Sequence, residues 1–210
     1  MNAKELLHHY LDDCPLVAII RGVKPDEAEA IGEAAYESGI KIIEVPLNSP
    51  QPLESIARLA KRFGERMLVG AGTVLELEDV KRVREVGGRI IVSPDANPEI
   101  IAAAASAGLV SSPGYFTPTD AFAAIRAGAT ALKLFPAEGA SPAILKAHRA
   151  VLPADLPILV VGGIQPDNMG PWKEAGATGF GLGSGLYRPG RSPAETLERG
   201  RAYVAAVKPA

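Results

Sequence analysis

A lysine inside an apolar run is chemically out of place, and this sequence has one. Residues 130–136 read TALKLFP, with Lys133 at the centre, Ala127-Gly128-Ala129 before the run and Pro136 closing it. Apolar and β-branched residues between turn signals predict a short buried strand. An ammonium buried there unpaired carries a large desolvation cost or gives up its proton. A neutral lysine in a dry pocket is a nucleophile toward carbonyl compounds. A lysine paired to a carboxylate at a strand end is a structural element instead. Two other charges fall in comparable places. Glu44 alternates with Ile40 and Ile42, so with those isoleucines inward its carboxylate also points inward. A buried carboxylate and a buried lysine form either an ion pair or the nucleophile and proton shuttle that imine chemistry needs. Arg21, directly after an apolar run, is either a partner for Glu44 or a functional cation. In the second role it lowers the Lys133 pKa and grips a planar carboxylate in its fork, and this is the favoured reading.

These residues must be held by the elements around them. Strand signals recur at 16–20, 40–45, 67–71, 89–92, 109–112, 130–134, 158–161 and 178–182, separated by amphipathic, alanine-rich helical stretches. Pro25-Asp26-Glu27 opens one helix in the way the helix dipole favours, and Gly39 ends it. Strands alternating with helices imply parallel pairing with right-handed crossovers, and short continuous apolar runs imply burial on both faces. Eight such units without a composition break predict a single domain over 1–210. The expected fold is α/β, a (β/α)8 TIM barrel with an extra N-terminal helix (residues 3–12) over the N-terminal mouth. An open doubly wound sheet is the alternative, but no GxGxxG follows the first strand.

In a barrel, functional groups project from the C-terminal strand ends. Found there are Arg21, Glu44, Gly72-Thr73, Pro94-Asp95, Pro113-Gly114, Lys133, Gly162-Gly163 and Gly183-Ser184. Lys133 therefore has polar company at one mouth, which favours its functional reading. Leu132, Leu134 and Phe135 are expected to keep it dry. Gly162 and Gly163, with Gly183 and Ser184, fall where barrel enzymes bind phosphate through backbone N–H groups; alternatively, glycines there only permit tight turns. Two such loops on adjacent strands favour a phosphorylated substrate. Arg188 and Arg191 lie just beyond and either reach the same anion or serve as ordinary surface arginines. Thr73 either bonds substrate or caps the next helix.

The totals exclude several classes. The chain has 210 residues, net charge -2 and 47% hydrophobic residues, with no basic cluster, so neither nucleic acid nor an anionic membrane is an expected partner. No apolar run is long enough to span a bilayer, and the polar N-terminus is unlike a secretory signal. Cys14 is the only cysteine, which fits a reducing, cytoplasmic location. His8, His9 and His148 make no metal-ligand spacing, so no metal is expected.

With these residues in place, the chain resembles the bacterial class I pyruvate aldolases acting on 2-keto-3-deoxy-6-phospho sugar acids. The matching pieces are IIRG (19–22), IEV (43–45), GAGT (70–73), LKLFP (132–136), VGG (161–163) and GLGS (181–184), in the family's order and spacing. The resemblance implies Lys133 as the Schiff-base lysine and Glu44 as the proton shuttle. It also implies Arg21 and Thr73 at the pyruvate end, with Gly162, Gly163, Gly183 and Ser184 around the phosphate and Pro94 at the substrate. It further implies a homotrimer, no cofactor, and a phosphorylated keto sugar acid and pyruvate as partners. Two departures bear on specificity. Asn48 stands where gluconate-acting relatives carry an arginine, and Val161 where they tend to carry threonine. An apolar Val161 cannot bond a C4 hydroxyl. Both departures, with LYRPG (186–190), resemble the galactonate branch, which implies products pyruvate and glyceraldehyde 3-phosphate. The rivals are a gluconate-series aldolase, a phosphosugar isomerase or epimerase, and a non-catalytic phosphosugar-binding barrel.

Overall fold

The structure, a computed structural model, describes residues 1–207. Strands and helices alternate along it. The strands are β1 (Leu16–Ile19), β2 (Ile42–Pro46), β3 (Leu68–Gly72), β4 (Ile90–Val92), β5 (Val110–Ser112), β6 (Gly114–Tyr115), β7 (Leu132–Leu134), β8 (Ile158–Val161) and β9 (Gly179–Leu182). The helices are α1 (Ala3–Asp13), α2 (Pro25–Ser38), α3 (Pro52–Phe63), α4 (Leu77–Glu85), α5 (Pro98–Ser106), α6 (Pro118–Arg126), α7 (Pro142–Arg149), α8 (Met169–Glu174) and α9 (Pro193–Val207). Proline opens α2, α3, α5, α6 and α7, where its fixed φ and missing N–H cost nothing.

All nine strands pair in parallel, in the order β5-β4-β3-β2-β1-β9-β8-β7-β6. The result is a nearly closed, TIM-like α/β barrel. The two ends of that order, β5 and β6, are neighbours in the chain, separated only by Pro113. Pro113 has no N–H to give a ladder, so the expected strand 109–112 ends before it as β5, and a further short strand, β6, follows. Across the break the Lys133 N–H donates to the Pro113 carbonyl at 2.8 Å, and the Ala131 N–H donates to Ser111 at 3.0 Å.

Side-chain alternation divides the core in two. Val17, Ile19, Ile42, Leu68, Ile90, Val92, Val110, Ala131, Leu159 and Val161 fill the barrel interior. Their chain neighbours face the surrounding helices in the larger cluster. Every residue of β1, β2, β3, β8 and β9 is buried, as continuous apolar runs require. Ile40 lies before β2 and joins the outer cluster, so only Ile42 shares the interior with Glu44. Leu132 and Leu134 also face outward.

The helix α1 starts from a reciprocal cap: the Asn2 side chain accepts from Glu5 N–H, and the Glu5 carboxylate accepts from Asn2 N–H, both at 2.9 Å. Its buried Leu6, Leu7, Tyr10 and Leu11 pack into the interior cluster. That packing stops the interior from opening to solvent at the end opposite Lys133 and Glu44.

Candidate active site

Lys133 sits at the middle of β7, on the face that continues from interior Ala131 to Phe135. It is 6% exposed, and its Nζ stands 4.7 Å from the Phe135 ring centroid. Of the three apolar neighbours, Phe135 is the one beside the amine, while Leu132 and Leu134 face outward. Burial pushes the Lys133 pKa down, and the Arg21 charge pushes in the same direction, while Glu44 opposes both. The net displacement is downward, the direction that favours the neutral, nucleophilic amine.

Glu44 projects from β2 and is 2% exposed. Its Oε2 is buried with no hydrogen-bond partner, a costly arrangement unless a ligand or a proton completes it. Burial raises its pKa to about 7, against the lowering effect of Lys133 and Arg21. Near neutral pH this carboxyl can both give and take a proton. Neither Lys133 nor Arg21 forms an ion pair with it. The alternative of a structural salt bridge finds no support in this geometry. Gly72, paired beside β2, makes the space: a Cβ there would collide with the Glu44 carboxyl group.

Arg21 extends from the end of β1, and its Nη1 donates to Asn48 Oδ1 at 2.5 Å and to Thr73 Oγ1 at 3.4 Å. Asn48 thus orients the guanidinium rather than adding a charge of its own. Thr73 holds φ at +54°, a strained setting for a β-branched residue and of the kind concentrated at functional sites. It does not cap the following helix, whose N-cap is Glu76.

One cleft of about 490 Å³ joins most of these groups, lined by Arg21, Lys133, Val161, Gly162, Gly163, Gly183 and Ser184, among others. Gly162 and Gly163 hold φ at +118° and +62°, and a Cβ on Gly162 would strike the Glu138 carboxylate and crowd the Ala137 N–H. The glycines at this turn are required on both grounds. Pro94, half-buried after β4, does not line the cleft; its carbonyl instead packs so closely on Gly114 that a Cβ there would not fit. Glu138, Gln165 and Tyr187 line the cleft and were not singled out from sequence. Glu138 lies on an exposed turn after β7, where nothing in residue type or periodicity marks it. His148 is buried, with its ring 5.6 Å from that of Tyr115, well removed from the cleft lining. Among the described residues, no group of three or more His, Cys, Asp or Glu side chains is arranged to hold a metal ion.

A planar anion beside Arg21 and Thr73, a carbonyl carbon at Lys133 and a second anion at the glycine turns would fit this cleft together. Comparison with known proteins agrees with that chemistry. The family model described as "KDPG and KHG aldolase" matches residues 7–197. A protein of Rhizobium meliloti (strain 1021), named probable 2-dehydro-3-deoxy-6-phosphogalactonate aldolase, is 48% identical over 192 residues, 91% of each chain. The 2-dehydro-3-deoxy-6-phosphogalactonate aldolase of Escherichia coli (strain K12) is 44% identical over 196 residues, 93% of this chain and 96% of that one. A solved structure described as "Native KDPGal structure" superposes with a TM-score of 0.90 at 44% identity, covering 91% of this chain and 93% of the other.

Proposed function

This chain belongs to the KDPG and KHG aldolase family, and we propose that it cleaves 2-dehydro-3-deoxy-6-phosphogalactonate to pyruvate and glyceraldehyde 3-phosphate. The observation that carries this reading is the buried Lys133 and Glu44 pair, unbonded to each other and with opposite pKa displacements, Lys133 lining the cleft. Groups whose environments push their pKa values toward neutrality suit acid and base work at pH 7.

In this mechanism neutral Lys133 Nζ adds to the C2 ketone, and protonated Glu44 gives its proton to the departing hydroxyl as the imine forms. Arg21, held by Asn48, grips the C1 carboxylate in its fork, with the Thr73 hydroxyl alongside. The Glu44 carboxylate then takes the C4 hydroxyl proton. The C3–C4 bond breaks, and its electron pair moves into the protonated imine to give the enamine. Glyceraldehyde 3-phosphate leaves, C3 is protonated, and water releases pyruvate from Lys133. The chemistry calls for no metal or organic cofactor. The phosphate sits at Gly162, Gly163, Gly183 and Ser184, where its contacts fix the reacting carbons over Lys133. Val161, which is apolar and lines the cleft, offers no hydrogen bond to the C4 hydroxyl and favours the galactonate series. Pro94 acts at most by holding the neighbouring strand end.

The same reading takes the chain as one domain, with the strand pieces on either side of Pro113 as the fifth of eight barrel positions. It also takes the protein as a cytoplasmic homotrimer; among the described residues no helix is long and apolar enough to cross a membrane. The test is cleavage of the two C4 epimers under identical conditions, with pyruvate release as the signal. A higher kcat/KM for the galactonate epimer is expected. Preference for the gluconate epimer would reassign the substrate, and cleavage of neither would remove the activity.

A further inference from the structure

Three arginines gather behind the loop that follows β9. Arg191 Nη1 donates to the carbonyl oxygens of Ser184 and Gly185 at 3.0 and 3.1 Å, and Arg199 Nη1 donates to Gly185 at 3.2 Å. Arg188 lines the cleft itself. None of the three forms an ion pair among the described residues. Glu195 is engaged at the start of α9, accepting from Ser192 N–H and Oγ. Burial and the like charges of Arg199 and Arg188 push the Arg191 pKa down, and the Glu195 carboxylate opposes them, so these guanidinium groups crowd one another with one nearby carboxylate between them.

The hydrogen bonds they make fix the loop. The Gly183 carbonyl is taken by the N–H groups of Leu186 and Tyr187, and the next two carbonyls are taken by the arginines. The two sides of a peptide point opposite ways, so fastening the Ser184 carbonyl also fixes the direction of the Gly185 N–H. The Ser184 and Gly185 N–H groups have no backbone partner. One turn along α9 from Arg199, the Tyr203 hydroxyl donates to the Ile164 carbonyl at 2.9 Å, with Gln165 Oε1 at 3.1 Å. A Cβ on Gly185 would collide with that hydroxyl. One face of α9 therefore holds the loops after both β8 and β9.

We infer that Arg191 and Arg199 are positioning residues that set the 183–185 loop to receive a phosphate and so make the cleft select phosphorylated substrates. They act through backbone carbonyls and do not touch the reacting atoms. Their charge, which the Glu195 carboxylate offsets only in part, adds a field that favours a dianion over a neutral hydroxyl group. This inference rests on the aldolase reading of the cleft given above.

The test compares wild type with Arg191→Ala, Arg191→Lys and Arg199→Ala. Two measurements are made: calorimetric binding of inorganic phosphate, and kcat/KM for the phosphorylated substrate beside its dephosphorylated counterpart. Arg191→Ala is expected to weaken phosphate binding and raise KM for the phosphorylated substrate by roughly 10- to 100-fold, the range for losing charge-assisted hydrogen bonds. Its kcat, and its kcat/KM for the dephosphorylated compound, should stay within about threefold of wild type, because the lost interaction belongs to the phosphate alone. Arg191→Lys keeps the charge and recovers part of the loss. Equal losses on both substrates, or unchanged phosphate binding, would overturn the inference. Should Arg191→Ala fail to fold, exposed Arg199→Ala decides: weaker phosphate binding supports the role and unchanged binding removes it. The calorimetric arm does not need turnover. An enzyme that cleaves neither epimer would sink the aldolase reading, and the arginine role would still be decided.

Discussion

Glu44 is the residue on which both chemistry and stability turn. Its pKa is about 7 in the folded protein, against 4.5 for an ordinary glutamate. A raised carboxyl pKa means that the folded state holds the proton more tightly than the unfolded one. Its contribution to stability is fully present below about pH 4.5 and is lost as pH rises through 7, a change on the order of 3 kcal/mol. Glu44→Gln removes the ionisation, so the variant should gain stability relative to wild type between pH 5 and 8. Urea unfolding at those two pH values measures the gain. The same variant should lose most turnover, together with the ionisation near pH 7 in the rate profile. Normal turnover would make Glu44 structural. Gly72→Ala drives a methyl group into the Glu44 carboxyl position, and misplacing a proton shuttle by about an ångström costs roughly 100-fold in kcat. A stopped assay on this variant checks it, and wild-type kcat would show that the carboxyl has room to move. Lys133 and Glu44 were legible in the sequence because a charge within an apolar strand breaks its pattern. Arg191 was legible only as a candidate for direct contact with the anion and Arg199 not at all, since both bond backbone carbonyls, which no residue code displays.

Among the elements, the strands were the most legible, because each is a short apolar run between turn residues. Each of the eight expected runs corresponds to one strand whose ends agree to within two residues. The differences have local causes. Pro113 withholds a ladder donor and ends β5, so β6 follows as a short strand that no expected run covers, and β2 begins at Ile42 because Ile40 turns toward the helices. The plug made by α1 carries its own prediction. Leu7 is fully buried in the interior cluster, so Leu7→Ala should cost roughly 2–5 kcal/mol. Thermal unfolding measures it. The folded fraction should keep kcat near wild type, because Leu7 enters the barrel from the end opposite the cleft. A loss of kcat at full folding would mean that the plug shapes the site.

The molecule as a whole shows what one barrel end can combine. The buried leucines of α1 pack into the interior cluster, Lys133 lines the cleft, and the loops after β8 and β9 are held by α9. No single strand carries the site, and parallel strand order alone brings Arg21, Glu44, Thr73 and Lys133 to one mouth. Assembly was the least legible property, since an interface is a surface and surfaces leave no periodic signal. Leu75, Leu77 and Phe116 are exposed apolar residues that an assembly could cover. Sedimentation should give about 66 kDa, three times the 21.9 kDa chain. A species of single-chain mass at working concentration would contradict the trimer.

The central claim is that Lys133 forms the covalent intermediate, and trapping tests it most directly. Incubation with pyruvate and borohydride, followed by digestion and mass spectrometry, should place a reduced pyruvate adduct on the peptide containing Lys133 and on no other lysine. An unmodified Lys133 in an enzyme that still cleaves its substrate would contradict the account.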